Sequence, residues 1–215
     1  MPINYILLDA ANTLIHKPSL WINMTKVLEE SGYIIDVSEL KMKHKIISEL
    51  IQFPDVTSEK FYNTFNKELL LSMGILPTDS ILSKLFHSCK YLPWEIFDDI
   101  HYLSEVNLPI GVLSNFNSSL TELLKNKIPE IKFKHIIISE TEGVSKPNSS
   151  FYQKAIEKIG LQPNEILYIG DSLKLDIEPA IQIGFEALLI DRNSYYKLSK
   201  QRIESFKEII TISNK

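Results

Sequence analysis

The stretch Glu165-Ile166-Leu167-Tyr168-Ile169-Gly170-Asp171-Ser172 carries the plan of the chain. Its apolar run is too short for a helix and ends abruptly on glycine, aspartate and serine. Such a run reads as a strand buried on both faces, and Asp-Ser is a good opening for a following helix. The same grammar recurs on either side. Asn4-Tyr5-Ile6-Leu7-Leu8-Asp9, Pro109-Ile110-Gly111-Val112-Leu113-Ser114, His135-Ile136-Ile137-Ile138-Ser139 and Ala187-Leu188-Leu189-Ile190 all read as strands. Helical patterns over 119–126, over 148–159 and from Asp171 to Gly184 lie between them. Glu208-Ile209-Ile210-Thr211-Ile212 is expected as a last strand. This alternation predicts an α/β fold, a doubly wound parallel sheet with right-handed crossovers.

The region 20–90 breaks the alternation. Trp21, Met24, Val27 and Leu28 recur at helical spacing, and Gly32 supplies a stop. Ser38 is the expected cap of a second helix, Ser58 of a third, and Pro77-Thr78-Asp79 begins a fourth. Residues 1–15 and 93–215 are therefore expected to form the core, with 16–92 an inserted α-helical domain.

Composition narrows the class. The 215 residues, 44% hydrophobic, suffice for one α/β core with an insertion. A net charge of -4 without a long basic run argues against nucleic acid or an anionic membrane as partner. Cys89 is the only cysteine, which excludes an internal disulfide and suits a reducing compartment. No stretch approaches the length of a membrane span, and Ile6-Leu7-Leu8 is too short for a signal core. The expectation is a cytoplasmic protein, monomer or homodimer, acting on a small molecule.

Open parallel sheets bind ligands beyond the carboxyl ends of their strands. Asp9, Asn12 and Thr13 follow the first strand, and Ser114-Asn115 the second. Ser145-Lys146-Pro147 comes after the third, and Gly170-Asp171-Ser172 with Asp176 after the fourth. Any one of these clusters is more easily a turn or a helix cap. Together, in order and each at a strand end, they resemble the four motifs of the haloacid dehalogenase (HAD) superfamily, in the subgroup with a helical cap after the first motif. The resemblance implies a Rossmann-like core and a hydrolase, most simply a phosphatase of a small phosphorylated metabolite. It implies Asp9 as nucleophile, forming an aspartyl intermediate, with Thr13 orienting it by a hydrogen bond. Ser114 and Asn115 would bind the phosphoryl group, and Lys146 would neutralise its charge and that of Asp9. Asp9, the backbone carbonyl of Ala11, Asp171 and Asp176 would hold Mg²⁺.

One position departs from the pattern. HAD phosphatases usually carry a second aspartate two residues after the nucleophile, as acid and base. Here it is Ala11, which can do neither. Two alternatives follow: a carbon-bond-cleaving relative of the phosphonatase or dehalogenase type, or a weak member that binds a metabolite or protein. For a phosphonatase-like Schiff base, Lys41, Lys43 and Lys45 are candidate lysines in the helical region.

Overall fold

The computed structural model describes residues 2–51, 53–54 and 57–213. In chain order, β1 (Tyr5–Leu8) and the two-residue β2 (Ile15–His16) come first. Four helices follow: α1 (Ser19–Glu30), α2 (Val37–Leu50), α3 (Glu59–Ser72) and α4 (Asp79–Cys89). After β3 (Glu95–Ile96) and a 3-10 segment, Asp98–Glu105, come β4 (Ile110–Ser114), α5 (Leu120–Lys127) and β5 (Phe133–Ile138). Then α6 (Ser139–Glu142), α7 (Ser149–Ile159), β6 (Ile166–Gly170), α8 (Glu178–Gln182) and β7 (Glu186–Ile190) complete the alternation. The short β8 (Arg202–Ile203) and α9 (Ile210–Ser213) close the described chain.

Two compact units result. One comprises the residues up to His16 with those from Ile96 onward; the other is Lys17–Glu95. In the first, six strands form a sheet in the order β5-β4-β1-β6-β7-β8, every pair parallel. β1 is central and all four of its residues are buried, as continuous apolar strands in a covered parallel sheet must be. Tyr5 and Leu7 pack with Leu113, Tyr152, Tyr168, Phe185 and Leu189 in one apolar cluster. The predicted last strand is not one. Phe206–Ile209 is a 3-10 turn that runs into α9, because Ser205 and Glu208 form a capping box.

The helical unit is held by its own core, including Met24, Leu28, Leu40, Phe65, Leu69 and Leu85. Its helices begin where hydroxyl or carboxylate side chains accept amide hydrogens. Ser58 accepts from Phe61 and Thr78 from Ile81. For α2 the cap is Asp36 and not the expected Ser38. The Asp36 carboxylate accepts the Ser38 amide at 2.8 Å, so Ser38 already lies inside the helix. Among the described residues, no helix is long and apolar enough to cross a membrane.

Candidate active site

The strand order decides which side chains meet. β1 lies between β4 and β6, with Leu8 level with Val112 on one side and Ile169 on the other. The carboxyl ends of three adjacent strands therefore present Asp9, Ser114 and Asp171. The chain reaches the two sides of β1 by separate excursions, which makes this a switch point of the sheet. The Asp9 amide donates to the Ile169 carbonyl at 2.9 Å, fixing the backbone of Asp9 at the sheet edge.

Lys146 arrives from a loop and not from a strand end. α6 stops at Gly143, whose φ of 67° is a left-handed helix cap favoured by glycine. The Asn115 side chain then holds the Lys146 backbone twice. It accepts from the Lys146 amide at 2.7 Å and donates to its carbonyl at 2.9 Å. The lysine is thereby aimed inward. Its Nζ lies 2.6 Å from Asp9 Oδ1, 2.6 Å from Asp176 Oδ1 and 3.2 Å from the Tyr168 hydroxyl. An ammonium has three hydrogens, and these partners use all of them.

Asp176 is placed by a single π-helical turn, Leu173–Ile177, a geometry that proteins often keep at functional sites. Ser172 Oγ opens that turn by accepting the Leu175 amide at 2.9 Å. The Ser172 amide donates to Asp176 Oδ2 at 2.9 Å, and the Tyr168 hydroxyl donates to Oδ1 at 2.9 Å. Gly170 makes room: a Cβ there would stand 2.3 Å from the Asp176 carboxyl carbon. Oxygens of Asp9, Asp171 and Asp176 lie within 4.8 Å of one another, a spacing one divalent ion could span.

Burial makes these charges interact strongly. Desolvation pushes Asp9 up to about 6; Lys146 opposes that rise, while Asp176 and Asp171 add to it. Burial alone would lower Lys146, but Asp176 and Asp9 outweigh it and hold the lysine firmly charged. Burial and the adjacent Asp176 carboxylate keep Tyr168 a neutral phenol. Acid-rich, partly neutralised and sheltered, the site suits a further cation and an anionic substrate group.

The sequence candidates are thus mostly brought together. Ser114 Oγ donates to Asp9 Oδ1 at 3.1 Å. Asn115 turns its side chain to Lys146. Ala11 is half-buried beside Asn12, which takes a left-handed φ of 61°. The expected Thr13–Asp9 hydrogen bond is not formed. Thr13 Oγ1 is buried without a hydrogen-bond partner among the described residues, and Ser114 and Lys146 hold Asp9 instead. Of the lysines of the helical unit, Lys45 pairs with Glu49 at 3.0 Å and Lys41 lies over the Trp21 ring.

Two residues at the site were not expected there. Tyr168 is the lone hydroxyl in an aliphatic strand, two residues before Gly170 and so on the same face; that was its signal. Arg192 just follows β7. It contacts the Asn12 and Thr13 carbonyls and Asp99, and nothing in its own neighbourhood of sequence announces this.

Comparison with known proteins agrees with this geometry. The haloacid dehalogenase-like hydrolase family model matches residues 89–184. The chain is 21% identical to haloacid dehalogenase-like hydrolase domain-containing protein 3 of Danio rerio, over 92% of this chain and 88% of that protein. It is 24% identical to a glyceraldehyde 3-phosphate phosphatase of Methanopyrus kandleri, over 80% and 76% of the two. In structure it resembles the putative HAD-hydrolase YfnB from Bacillus subtilis, solved bound to magnesium. That likeness has a TM-score of 0.67 at 18% identity and covers both chains in full. Strand order, motif placement and sequence similarity point the same way: residues 89–184 match the haloacid dehalogenase-like hydrolases, and the two relatives aligned over most of the chain carry that family's name or a phosphatase's at 21% and 24% identity.

Proposed function

We propose that this protein is a magnesium-dependent phosphatase of a small phosphorylated metabolite, with Asp9 as nucleophile. One observation carries the reading: three carboxylates, Asp9, Asp171 and Asp176, converge within 4.8 Å beside the buried Lys146. The donor set fits a hard divalent cation, since all three side chains offer oxygens and burial, with the neighbouring carboxylates, pushes Asp9 up to about 6 despite Lys146. Asp9, Asp171, Asp176 and the Ala11 carbonyl would hold Mg²⁺, which when bound supplies Lewis acidity and charge neutralisation to a phosphoryl group. The phosphatase names among the similar proteins support the substrate class.

The chain's own residues divide the work. Ser114 and Lys146 both donate to Asp9 Oδ1, so Oδ2 is the oxygen for attack on phosphorus. A bond forms between Oδ2 and phosphorus as the ester bond breaks, and the departing oxygen takes its proton from water. Water then attacks the aspartyl-phosphate, releasing phosphate and the Asp9 carboxylate. Lys146 balances charge through both steps, and the Ser114 hydroxyl, turning from Asp9, would hold a phosphoryl oxygen together with the Asn115 backbone amide. The helical unit is the cap that selects the metabolite. Ala11 favours a second reading, carbon-bond cleavage or binding without turnover; against its dehalogenase form stands the intact acidic set, which would have little purpose there.

The test is hydrolysis of p-nitrophenyl phosphate by the purified protein, with magnesium and with chelator, beside Asp9→Asn. Turnover that needs both magnesium and Asp9 supports the proposal. Turnover undiminished in a folded Asp9→Asn protein overturns it.

A further inference from the structure

We propose that Arg192 is a positioning residue for the chemistry at Asp9, holding the turn 10–15 that carries the Ala11 carbonyl. This rests on the function proposed above. Inside that turn the Ala10 carbonyl accepts the amides of Thr13, Leu14 and Ile15 at 3.3, 2.8 and 3.0 Å, and the Asn12 amide donates to the Ile15 carbonyl at 2.6 Å. Those bonds close the turn on itself but do not fix it against the core. Asn12 sits at a φ of 61°, a left-handed conformation that asparagine tolerates better than most residues, and the constraint that seats the turn comes from outside it.

Arg192 supplies that constraint. Its Nη2 donates to the Thr13 carbonyl at 3.0 Å and its Nη1 to the Asn12 carbonyl at 3.4 Å. The other edge of the guanidinium grips Asp99: Nε lies 3.1 Å from both carboxylate oxygens and Nη2 2.8 Å from Oδ1. Asp99 is in turn held by the Phe206 amide at 3.0 Å. The guanidinium plane lies 3.8 Å over the Phe97 ring, and Phe97 stacks on His16 at 3.9 Å. A planar, two-edged fork with all three nitrogens engaged is a rigid strut, a role that lysine's single ammonium cannot fill. One edge is anchored in the core; the other holds two successive carbonyls immediately after Ala11. Burial lowers the guanidinium's hold on its proton, which Asp99 and then Asp171 oppose, and the carbonyls it grips follow directly on Ala11 of the proposed metal site.

Positioning and simple electrostatics predict opposite signs. A cation beside Asp171 should repel Mg²⁺, so deleting it should tighten metal binding if charge were its whole effect. If Arg192 places ligands, deleting it should weaken binding. The experiment titrates Mg²⁺ into the wild-type protein, Arg192→Ala and Arg192→Lys by calorimetry, with p-nitrophenyl phosphate kinetics alongside. Arg192→Ala is expected to raise the Mg²⁺ dissociation constant about 10- to 100-fold, the usual cost of losing a group that orients metal ligands. It is also expected to lower kcat more than it changes KM. Millimolar guanidinium should recover part of both by refilling the slot between Asp99 and Phe97, and Arg192→Lys should remain weak. Unchanged or tighter Mg²⁺ binding in Arg192→Ala overturns the proposal. If Arg192→Ala does not fold, Arg192→Lys decides on the same criterion. A wild-type protein that binds Mg²⁺ but hydrolyses no phosphate ester refutes the phosphatase reading, and the Mg²⁺ titration still decides the role of Arg192.

Discussion

Replacing Lys146 with methionine keeps the apolar stem and removes the charge. Lys146 Nζ stands 2.6 Å from an oxygen of Asp9 and of Asp176, and all three side chains are buried. The variant strands two neighbouring carboxylates in a poorly solvated site. Removing one partner of a buried ion pair costs about 3–5 kcal/mol. Protonation sets an independent ceiling. A carboxyl whose ordinary value is 3.8 can always take up a proton in the folded state, and at pH 7 this costs about 4 kcal/mol. At pH 5 the same route costs under about 2 kcal/mol, so the destabilisation should shrink as pH falls. Magnesium should offset it at pH 7, being a replacement cation. Trp21 and Trp94 both lie in the helical unit, so tryptophan fluorescence does not report on the sheet. Amide hydrogen exchange of β1, β4 and β6, read by mass spectrometry in chelator at both pH values, does. Exchange unchanged from wild type at pH 7, or a destabilisation equal at pH 5 and 7, would refute the reasoning.

Three further outcomes are expected. Gly170→Ala puts a Cβ 2.3 Å from the Asp176 carboxyl carbon, so it should displace Asp176 and weaken calorimetric Mg²⁺ binding by at least about 10-fold; normal binding contradicts the proposed ligand set. Asp9, raised to about 6, holds a proton in the folded apo protein between pH 4 and 6 that the unfolded chain gives up. Apo stability should therefore fall as pH rises through that window, while Mg²⁺ affinity should climb and level off above about pH 6; a titration flat from pH 5 to 7 speaks against a raised Asp9. His44, packed between Trp21 and Phe65, is lowered by burial, and by Lys45, from 6.5 to about 4. The unfolded chain thus binds a proton first, and the helical unit should lose up to about 3 kcal/mol as pH drops from 6.5 to 4. Trp21 fluorescence follows this, and His44→Leu should abolish the acid loss; an unaltered acid midpoint would count against it.

What the sequence revealed follows from where the determining interactions lie. Asp9, Ser114 and Asp171 were legible because a parallel sheet sends its strand ends to one edge, whatever the loops do. Lys146 was legible only through resemblance, since its aim depends on Asn115, 31 residues away. The predicted strand over Glu208–Ile212 failed because apolar spacing was weighed without the Ser205–Glu208 capping box, a local hydrogen-bond signal that favours a helical start. Thr13 was given a bond that Ser114 makes, a choice set by packing across the sheet. Arg192 was invisible because its partners Asp99 and Thr13 are 93 and 179 residues distant.

The central place of β1 in the sheet has a consequence for synthesis. Tyr5–Leu8 is made well before either of its neighbours, the strands containing Val112 and Ile169. At about 5–20 residues per second, its last partner follows roughly 10–30 s later. The helical unit, made of contacts closer in sequence, can form meanwhile. The nascent chain must therefore carry an apolar strand with both edges open until β4 is translated, and with one edge open until β6 follows. That makes Tyr5–Leu8 the segment most in need of shelter by chaperones, and the place where slow translation or heat would first lead to aggregation.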